Sequence, residues 1–97
     1  MNQTTLTKRH MIESVAKITG MTRKKAQEVL EVFMGSVASA LVQGSRLEFR
    51  DFGTFEPVVR EAKQGRDLKR NQAIEIPSYT TVKFTPGKKL REQLNEE

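Results

Sequence analysis

The chain has 97 residues, of which 36% are hydrophobic, and its 17 lysines and arginines against 12 aspartates and glutamates give a net charge of +5. It has no cysteine and one histidine, His10, so it offers neither a disulfide nor a zinc ligand set, and we expect no metal and no cofactor. No apolar run approaches the ~18 residues of a membrane span and the N-terminus lacks an apolar signal segment, so we expect a cytoplasmic protein without membrane contact.

The length predicts a single domain, residues 1–97, with a small core. Chains of this size that lack disulfides and metals usually complete their core with a partner subunit, so we expect association with a second copy. The hydrophobic pattern predicts an α+β fold with a helical base at 7–44, a three-stranded antiparallel sheet at 45–60 and 73–85, a β-ribbon arm at about 60–74 and a helix at 86–95.

The helical base contains two predicted helices. Thr7 can cap a helix over Lys8–Thr19, and Gly20 can end it in a left-handed conformation. Thr22 can cap a second helix, ended by Gly44, whose apolar residues recur at helical spacing over about four turns. These residues are Ala26, Val29, Leu30, Phe33, Met34, Val37, Ala38 and Leu41. So long a stripe exceeds what one short helix can cover, which indicates that part of it meets its counterpart across a dimer axis.

After the second helix the hydrophobic period changes to two, which predicts strands. Leu47 and Phe49 lie in a first strand, and Thr54–Arg60 forms the second. The turn Asp51-Phe52-Gly53 lies between them, and we expect Gly53 to supply a backbone conformation that a side chain would hinder.

The chain then returns to this sheet and ends in a helix. Ala73–Pro77 is predicted as the returning strand, and Tyr79–Thr85 completes the sheet. Thr85-Pro86-Gly87 is expected to open the last helix, Lys88 to about Asn95, because proline is tolerated in a first helical turn. The apolar residues expected to face the core in these two elements are Val82, Phe84, Leu90 and Leu94.

Between Arg60 and Arg70 the sequence reads REAKQGRDLKR, with five basic residues against two acids. Both flanks have strand character, so this segment is predicted as the ribbon arm, turning near Asp67–Asn71 and extending past any core. Leu68 is its one side chain that could anchor in a core. A thin basic ribbon suits an anionic, groove-shaped partner, which indicates nucleic-acid binding.

The sequence offers little for catalysis. His10 lies in the first turn of an exposed helix, where a surface role is expected, and no glycine-rich phosphate loop joins a strand to a helix. We therefore expect no enzyme activity and no small-molecule substrate. Two alternatives to duplex DNA stay open. One is an RNA-binding dimer, although the aromatic platform usual for single strands is missing, and the other is a protein-interaction dimer with an acidic partner.

Four motifs carry a resemblance to a known family. They are Arg50-Asp51-Phe52-Gly53-Thr54-Phe55, Gly65-Arg66-Asp67, Ile74-Glu75-Ile76 and Phe84-Thr85-Pro86-Gly87-Lys88-Lys89-Leu90. Across almost its whole length the sequence resembles the bacterial HU and integration host factor family of histone-like nucleoid proteins. The resemblance implies an intertwined dimer in which helical hairpins form the base, the sheets form a saddle, and the arms enter the minor groove of DNA.

The resemblance also implies the function and the residues that carry it. The expected protein binds double-stranded DNA with little sequence preference and compacts or bends the chromosome in the nucleoid, as a homodimer or as a heterodimer with a paralogue. A member that coats or bridges DNA without bending it is the alternative. The implied DNA contacts are Arg50, Thr54, Arg60, Lys63, Arg66, Leu68, Lys69, Arg70, Lys83, Lys88, Lys89 and Arg91. The implied dimer interface is Val29, Leu30, Phe33, Met34, Val37, Leu41, Phe49, Phe52, Phe55 and Phe84.

The arm tip departs from the family's usual Gly-Arg-Asn-Pro-x-Thr-Gly. Leu68 stands where the family has an intercalating proline, and Asn71, which can adopt a left-handed conformation, stands at the turn glycine. Leucine can also wedge into a base step, but it must freeze rotamers that proline lacks. Asp51 and Glu61 add negative charge near the binding face. We therefore expect weaker or more variable bending than in members with proline at the tip.

Overall fold

A computed structural model describes residues 3–96 of the chain. This part separates into two compact units, a helical unit that ends at Ala38 and a strand unit that begins at Ser39. Two helices precede antiparallel strands and a last helix, which confirms the predicted α+β class. The elements are α1 Lys8–Thr19, α2 Arg23–Val42, β1 Leu47–Phe49, β2 Gly53–Arg60, β3 Lys63–Asp67, β4 Gln72–Ile76, β5 Tyr79–Pro86 and α3 Lys88–Leu94.

The first helix has the predicted bounds, and two side chains build its N-terminal cap. The backbone N–H of Thr7 donates to Nδ1 of His10 at 3.1 Å, and Thr7 Oγ1 lies 2.9 Å from the same nitrogen. Such bonds satisfy groups that have no partner inside the helix. Gly20 ends α1 in the left-handed region with φ 78°, as predicted. His10, expected only as a surface side chain, therefore also fixes the start of the helix.

The second helix begins and ends on the predicted signals. The backbone N–H of Lys25 donates to Oγ1 of Thr22 at 3.1 Å, which is the geometry of an N-cap. At the other end Gly44 has φ 93°, and its N–H donates to the carbonyl of Leu41 at 3.0 Å. The short-range signals of the sequence are thus sufficient to place both ends of α2.

The core of the helical unit is small. Ile12, Ala16 and Ala26 are buried, and Val15 and Leu30 pack against them in partly buried positions. Much of the apolar stripe of α2 stays exposed in the single chain. Within the helical unit, the exposed large apolar side chains of α2 are Val29, Val32, Phe33 and Met34. Val32 lies outside the predicted stripe.

The strands of the larger sheet run antiparallel in the order β1-β2-β5. In the middle strand Phe55 pairs with Leu47 on one side and with Phe84 on the other. The rings of Phe55 and Phe84 lie 4.7 Å apart, Phe49 lies 6.1 Å from Phe55, and Phe52 lies 5.6 Å from Phe84. Four aromatic rings therefore form a continuous cluster in the strand unit.

The β1–β2 turn corrects one prediction. Asp51, not Gly53, adopts the left-handed backbone, with φ 69°. Gly53 instead begins β2, where an added Cβ would lie 2.5 Å from Cε1 of Phe84 and 2.7 Å from the carbonyl oxygen of Thr85. The glycine is required because an aromatic ring and a neighbouring strand lie directly against it, so the predicted role of Gly53 in the turn is wrong.

The ribbon arm is a separate two-stranded sheet formed by β3 and β4. A break at residues 61–62 and another at 77–78 separate its ladder from that of the larger sheet. Pro77 lies in the second break and has no N–H to donate to a ladder. Residues 73–76, predicted to return to the larger sheet, therefore belong to the arm.

The last helix begins at Lys88, as predicted, but Pro86 does not lie in its first turn, because Pro86 ends β5 and Gly87 is the N-cap of α3. The N–H of Gly87 donates to the carbonyl of Phe52 at 2.9 Å, which fastens the start of α3 to the β1–β2 turn. Leu90 is half-buried, as a docking residue should be. Leu94 is 68% exposed, so its predicted docking role is wrong.

The aromatic face of the sheet is only partly covered in the single chain. Val82 and Phe84, predicted to face a core, are 47% and 40% exposed. The burial predicted for these two residues is therefore absent from the single chain.

Candidate nucleic-acid interface

The strand register separates the predicted DNA contacts of the sheet from the predicted interface aromatics. Thr54 pairs with Thr85, and Glu56 pairs with Lys83. Because paired residues share a face and neighbours in a strand alternate, Thr54 and Lys83 lie on the face opposite Phe55. We call this the polar face of the sheet. Its strand residues are Glu48, Thr54, Glu56, Val58, Arg60, Tyr79, Thr81, Lys83 and Thr85.

Four further predicted DNA contacts lie at one end of the sheet. Arg50 is in the turn that follows β1, and Lys88 and Lys89 occupy the first turn of α3. Because the start of α3 is bonded to that turn, these three cations belong to the same end of the strand unit. Arg91 follows in the last turn of α3. The structure thus brings together cations that are far apart in the sequence.

The ribbon arm has two unlike faces. Gly65 pairs with Ile74, and Lys63 pairs with Ile76, so these residues share one face. An added Cβ on Gly65 would lie 2.7 Å from Cδ1 of Ile76, so any larger residue would displace that isoleucine. Arg66, the next residue, lies on the other face. The two predicted arm contacts Lys63 and Arg66 therefore point to opposite sides of the ribbon.

Side chains from both legs close the arm tip. Oδ1 of Asp67 accepts the backbone N–H of Lys69 at 3.0 Å and that of Arg70 at 3.4 Å. Across the turn, Nη2 of Arg66 donates to Oδ1 of Asn71 at 2.6 Å. Asn71 is in the left-handed region with φ 54°, as predicted. The tip is thus a hydrogen-bonded turn.

Leu68 projects from this turn. It is 86% exposed, although leucine is an apolar residue that usually gains free energy by burial. Lys69 and Arg70 follow it directly, so the tip presents one apolar side chain beside two cations. Minor-groove proteins frequently insert apolar side chains such as leucine between base steps.

The predicted DNA-binding cations mostly lack an acidic partner. Arg70 lies 3.8 Å from Asp67, within the tip turn. No other cation of the predicted set forms an ion pair with a carboxylate among residues 3–96. These cations are Arg50, Arg60, Lys63, Arg66, Lys69, Lys83, Lys88, Lys89 and Arg91.

The cations of the helical unit are arranged differently. A hydrogen bond from the side chain of Gln27, together with the hydrogen bond and charge of Lys8, lowers the pKa of Glu31 below its ordinary value. Three glutamates in this unit engage four cations. The pairs are Lys8–Glu31 at 3.0 Å, Arg9–Glu13 at 3.7 Å, Arg23–Glu13 at 2.8 Å and Lys25–Glu28 at 3.3 Å.

Sequence reasoning missed two acids on the polar face. Negative charge was expected there from Asp51 and Glu61, but the register also places Glu48 on this face, and it sets Glu56 directly opposite Lys83. The alternation of these glutamates with the strand phenylalanines could have assigned them to this face. Because of these glutamates, the polar face carries both positive and negative charge. The arm, which follows β2 in the chain, carries more positive charge than the polar face.

Two other kinds of site receive no support from residues 3–96. No helix in this range is long and apolar enough to cross a bilayer. The same residues contain no cluster of three or more histidine, aspartate or glutamate side chains that could hold a metal ion.

The sequence model of the family described as bacterial DNA-binding protein matches residues 6–95. The chain belongs to this HU and integration host factor family. A Chlamydia trachomatis protein named "Probable DNA-binding protein HU" is 40% identical over 88 residues, which cover 90% of this chain and 88% of the relative. Integration host factor subunit alpha of Acinetobacter baumannii is 30% identical and covers 97% of this chain and 96% of its own.

The solved structures include a close match to this HU-family chain. HU of Anabaena, in a cocrystal with DNA, superposes with a TM-score of 0.89 at 30% identity, over 95% of this chain and 100% of that chain. The family resemblance carried by the four sequence motifs is therefore confirmed.

Proposed function

We propose that this protein is a histone-like nucleoid protein that binds duplex DNA with little sequence preference and compacts or bends the bacterial chromosome. The observation that carries the proposal is the ribbon arm, a separate two-stranded sheet with Leu68 exposed at its tip. A two-stranded ribbon is thin enough to follow a groove, its cations neutralise phosphates, and the exposed leucine supplies a wedge. The protein acts in the cytoplasm, on the nucleoid.

The cations divide into two groups in this proposal. Those of the arm lie along the groove and contact phosphates on both sides of it, since Lys63 and Arg66 occupy opposite faces of the ribbon. Thr54 and Lys83 of the polar face, with Arg50 and the cations of α3, support the adjacent backbone. Contacts from lysine and arginine to phosphates fix the position of a protein on DNA without reading its sequence. Low sequence preference follows from this composition.

We also propose that the protein works as an intertwined dimer, so that two arms embrace one duplex. The helical stripe and the aromatic cluster supply the apolar surface for it: Phe33, Phe52 and Phe84 are 51%, 51% and 40% exposed in the single chain. Burying such surface contributes roughly 25 cal/mol per Å². The other interface residues in the proposal are Val29, Leu30, Met34, Val37, Leu41, Phe49 and Phe55. A paralogue with the same surface could replace one copy.

The proposal is tested by measuring duplex affinity against salt concentration. If a dimer neutralises on the order of eight phosphates, log K falls with log[salt] at a slope of about −7, and unrelated duplexes of equal length bind alike. Arg66→Ala should lower the steepness by roughly one unit per arm and weaken all duplexes equally. The matched control is Arg23→Ala, because Arg23 already pairs with Glu13 at 2.8 Å and should change the slope less.

Other outcomes would redirect the proposal. Tighter binding to structured RNA than to duplex DNA would favour an RNA-binding dimer, and equal binding to polyglutamate would favour a protein-interaction module. Strong discrimination among unrelated duplexes would contradict nonspecific recognition. Duplexes that are bound without bending or shortening in atomic-force images would favour a coating or bridging protein. A monomeric mass by light scattering at micromolar concentration would exclude the dimer.

A further inference from the structure

The carboxylate of Asp67 accepts two backbone N–H groups from the arm tip. Its Oδ1 lies 3.0 Å from the backbone nitrogen of Lys69 and 3.4 Å from that of Arg70. These bonds connect the residue before Leu68 to the two residues after it. An aspartate that accepts from positions two and three residues later closes a turn over the residue between them. The exposed leucine is therefore held at its base by the side chain of its neighbour.

We propose that Asp67 is a positioning residue that fixes the backbone of the tip so that Leu68 points outward for insertion between base pairs. The proposal rests on the proposed DNA-binding function. Proline at a tip is stiff by itself, whereas leucine has free backbone and side-chain rotations that insertion must freeze. The Asp67 bonds remove the backbone part of that entropy before DNA is bound. The acid thus supplies part of the rigidity that a proline would give at position 68.

A second clamp lies outside the first. Nη2 of Arg66 donates to Oδ1 of Asn71 at 2.6 Å, and the left-handed Asn71, with φ 54°, turns the chain back into β4. This contact joins the two legs just below the turn, whereas Asp67 acts inside it. The two clamps are distinct because the Arg66 contact can be lost when its guanidinium turns toward a phosphate. The Asp67 bonds use backbone donors, which stay in place when the cations bind DNA.

The charge of Asp67 indicates that its contribution is conformational. A carboxylate at the tip repels the phosphates that Lys69 and Arg70 would contact. Its ion pair with Arg70 spans 3.8 Å, and the arginine side chain is 78% exposed, so the pair contributes little in water and occupies a cation that could bind DNA. Asparagine would retain an oxygen acceptor for both backbone bonds while removing the negative charge. The two properties can therefore be separated by substitution.

The test compares Asp67→Asn with Asp67→Ala in the full chain. Both remove one negative charge, so both should bind duplex DNA about two- to fivefold tighter. Single-molecule FRET between the ends of a short duplex with one flexible TA step then reports the kinked population. We expect Asp67→Asn to keep the wild-type population and Asp67→Ala to lose about fivefold, the factor for ordering one residue's backbone. Leu68→Ala sets the reference for a tip without a wedge.

The outcomes separate this proposal from the function it rests on. Equal kinked populations in Asp67→Asn and Asp67→Ala would overturn the positioning role while leaving DNA binding intact. A Leu68→Ala variant that kinks DNA like the wild type would also overturn it, because there would be no wedge to position. Failure of the wild type to bind duplex DNA at all would overturn the proposed function instead. Rescue by asparagine but not by alanine is the supporting result.

Discussion

The helical unit and the strand unit carry positive charge in different ways. In the helical unit four cations are paired with three glutamates, whereas in the strand unit the described ion pair is the one between Arg70 and Asp67. The net charge of each unit alone would point to the helical unit as the more positive surface. Residues 1–38 have six lysines and arginines against three acids, and residues 39–97 have eleven against nine, so the strand unit has the smaller excess. The fraction of cations that pair with carboxylates, rather than the number of cations, indicates which surface is available to contact phosphates.

A charge-matched substitution in each unit gives the largest expected effect. Replacing Lys8, Arg9, Arg23 and Lys25 by glutamine removes four paired cations, and replacing Arg60, Lys63, Arg66 and Lys83 removes four unpaired ones. We expect the second change to weaken duplex binding about 10³-fold or more at moderate salt and to flatten the salt slope by several units. The first should cost less than about tenfold, because those cations must leave a glutamate before they can meet a phosphate. Fluorescence titration at several salt concentrations measures both.

Far-UV circular dichroism of the two variants is the control, since neither set of side chains is buried. Equal losses of affinity would contradict the comparison. That result would mean that the paired lysines and arginines of the helical unit exchange their glutamates for phosphates at little cost. The DNA would then be bound by both units.

Packing around glycine differs between the units as well, and this predicts the second effect. In β2 an alanine at Gly53 would place its Cβ 2.5 Å from Cε1 of Phe84 and 2.7 Å from the carbonyl oxygen of Thr85. Overpacking of this kind typically destabilises by about 1–3 kcal/mol. In α2 an added Cβ at Gly35 meets nothing within 4 Å, so Gly35→Ala should stabilise the helix by about 0.5–1 kcal/mol.

Urea unfolding at one fixed protein concentration measures both glycine variants, because the apparent stability of the proposed dimer would depend on concentration. From the highest urea concentration at the unfolding midpoint to the lowest, the expected order is Gly35→Ala, wild type, Gly53→Ala. A Gly53→Ala midpoint equal to that of the wild type would show that the Phe84 ring moves aside freely. The close packing of the aromatic cluster would then have no energetic weight.

The same contrast explains what the sequence can predict of the fold. The starts of the two helices follow from Thr7 and Thr22, and their ends follow from Gly20 and Gly44, since a cap acts on residues within one turn of itself. The sequence around Gly53 resembles a turn and therefore predicts a turn role for this glycine. Its actual constraint is a ring from Phe84, a residue distant in sequence, and no local signal reports that contact. The division of the arm from the sheet likewise depends on where two ladders end.

The candidate site shows the same limit. The cations of the arm could be found from composition, because five of them fall in one short segment. Their faces could not, since Lys63 and Arg66 are separated only by the register of β3 against β4. In the sequence alone, Asp67 is one of two negative charges in a basic segment. Its hydrogen bonds to the backbone of Lys69 and Arg70 become visible only when the turn is built.

The smallest expected effect is the pH dependence of one ion pair in the helical unit. Glu31 accepts hydrogen bonds from Nε2 of Gln27 at 3.1 Å and from Nζ of Lys8 at 3.0 Å, and these contacts lower its pKa in the folded protein. Because the folded carboxyl then binds fewer protons than the unfolded one, its contribution to stability is present above the unfolded pKa and is lost as the pH falls through the folded value. The melting temperature of Glu31→Gln should therefore lie slightly below that of the wild type at neutral pH, and the two should converge in acid.

Gln27→Ala is the matched control, and NMR titration of the Glu31 carboxyl in this variant should show its pKa moving back toward the ordinary value. A wild-type advantage that persists unchanged below the folded pKa would mean that Glu31 stabilises α2 by a route other than its charge, and the paired cations of the helical unit would then need another explanation.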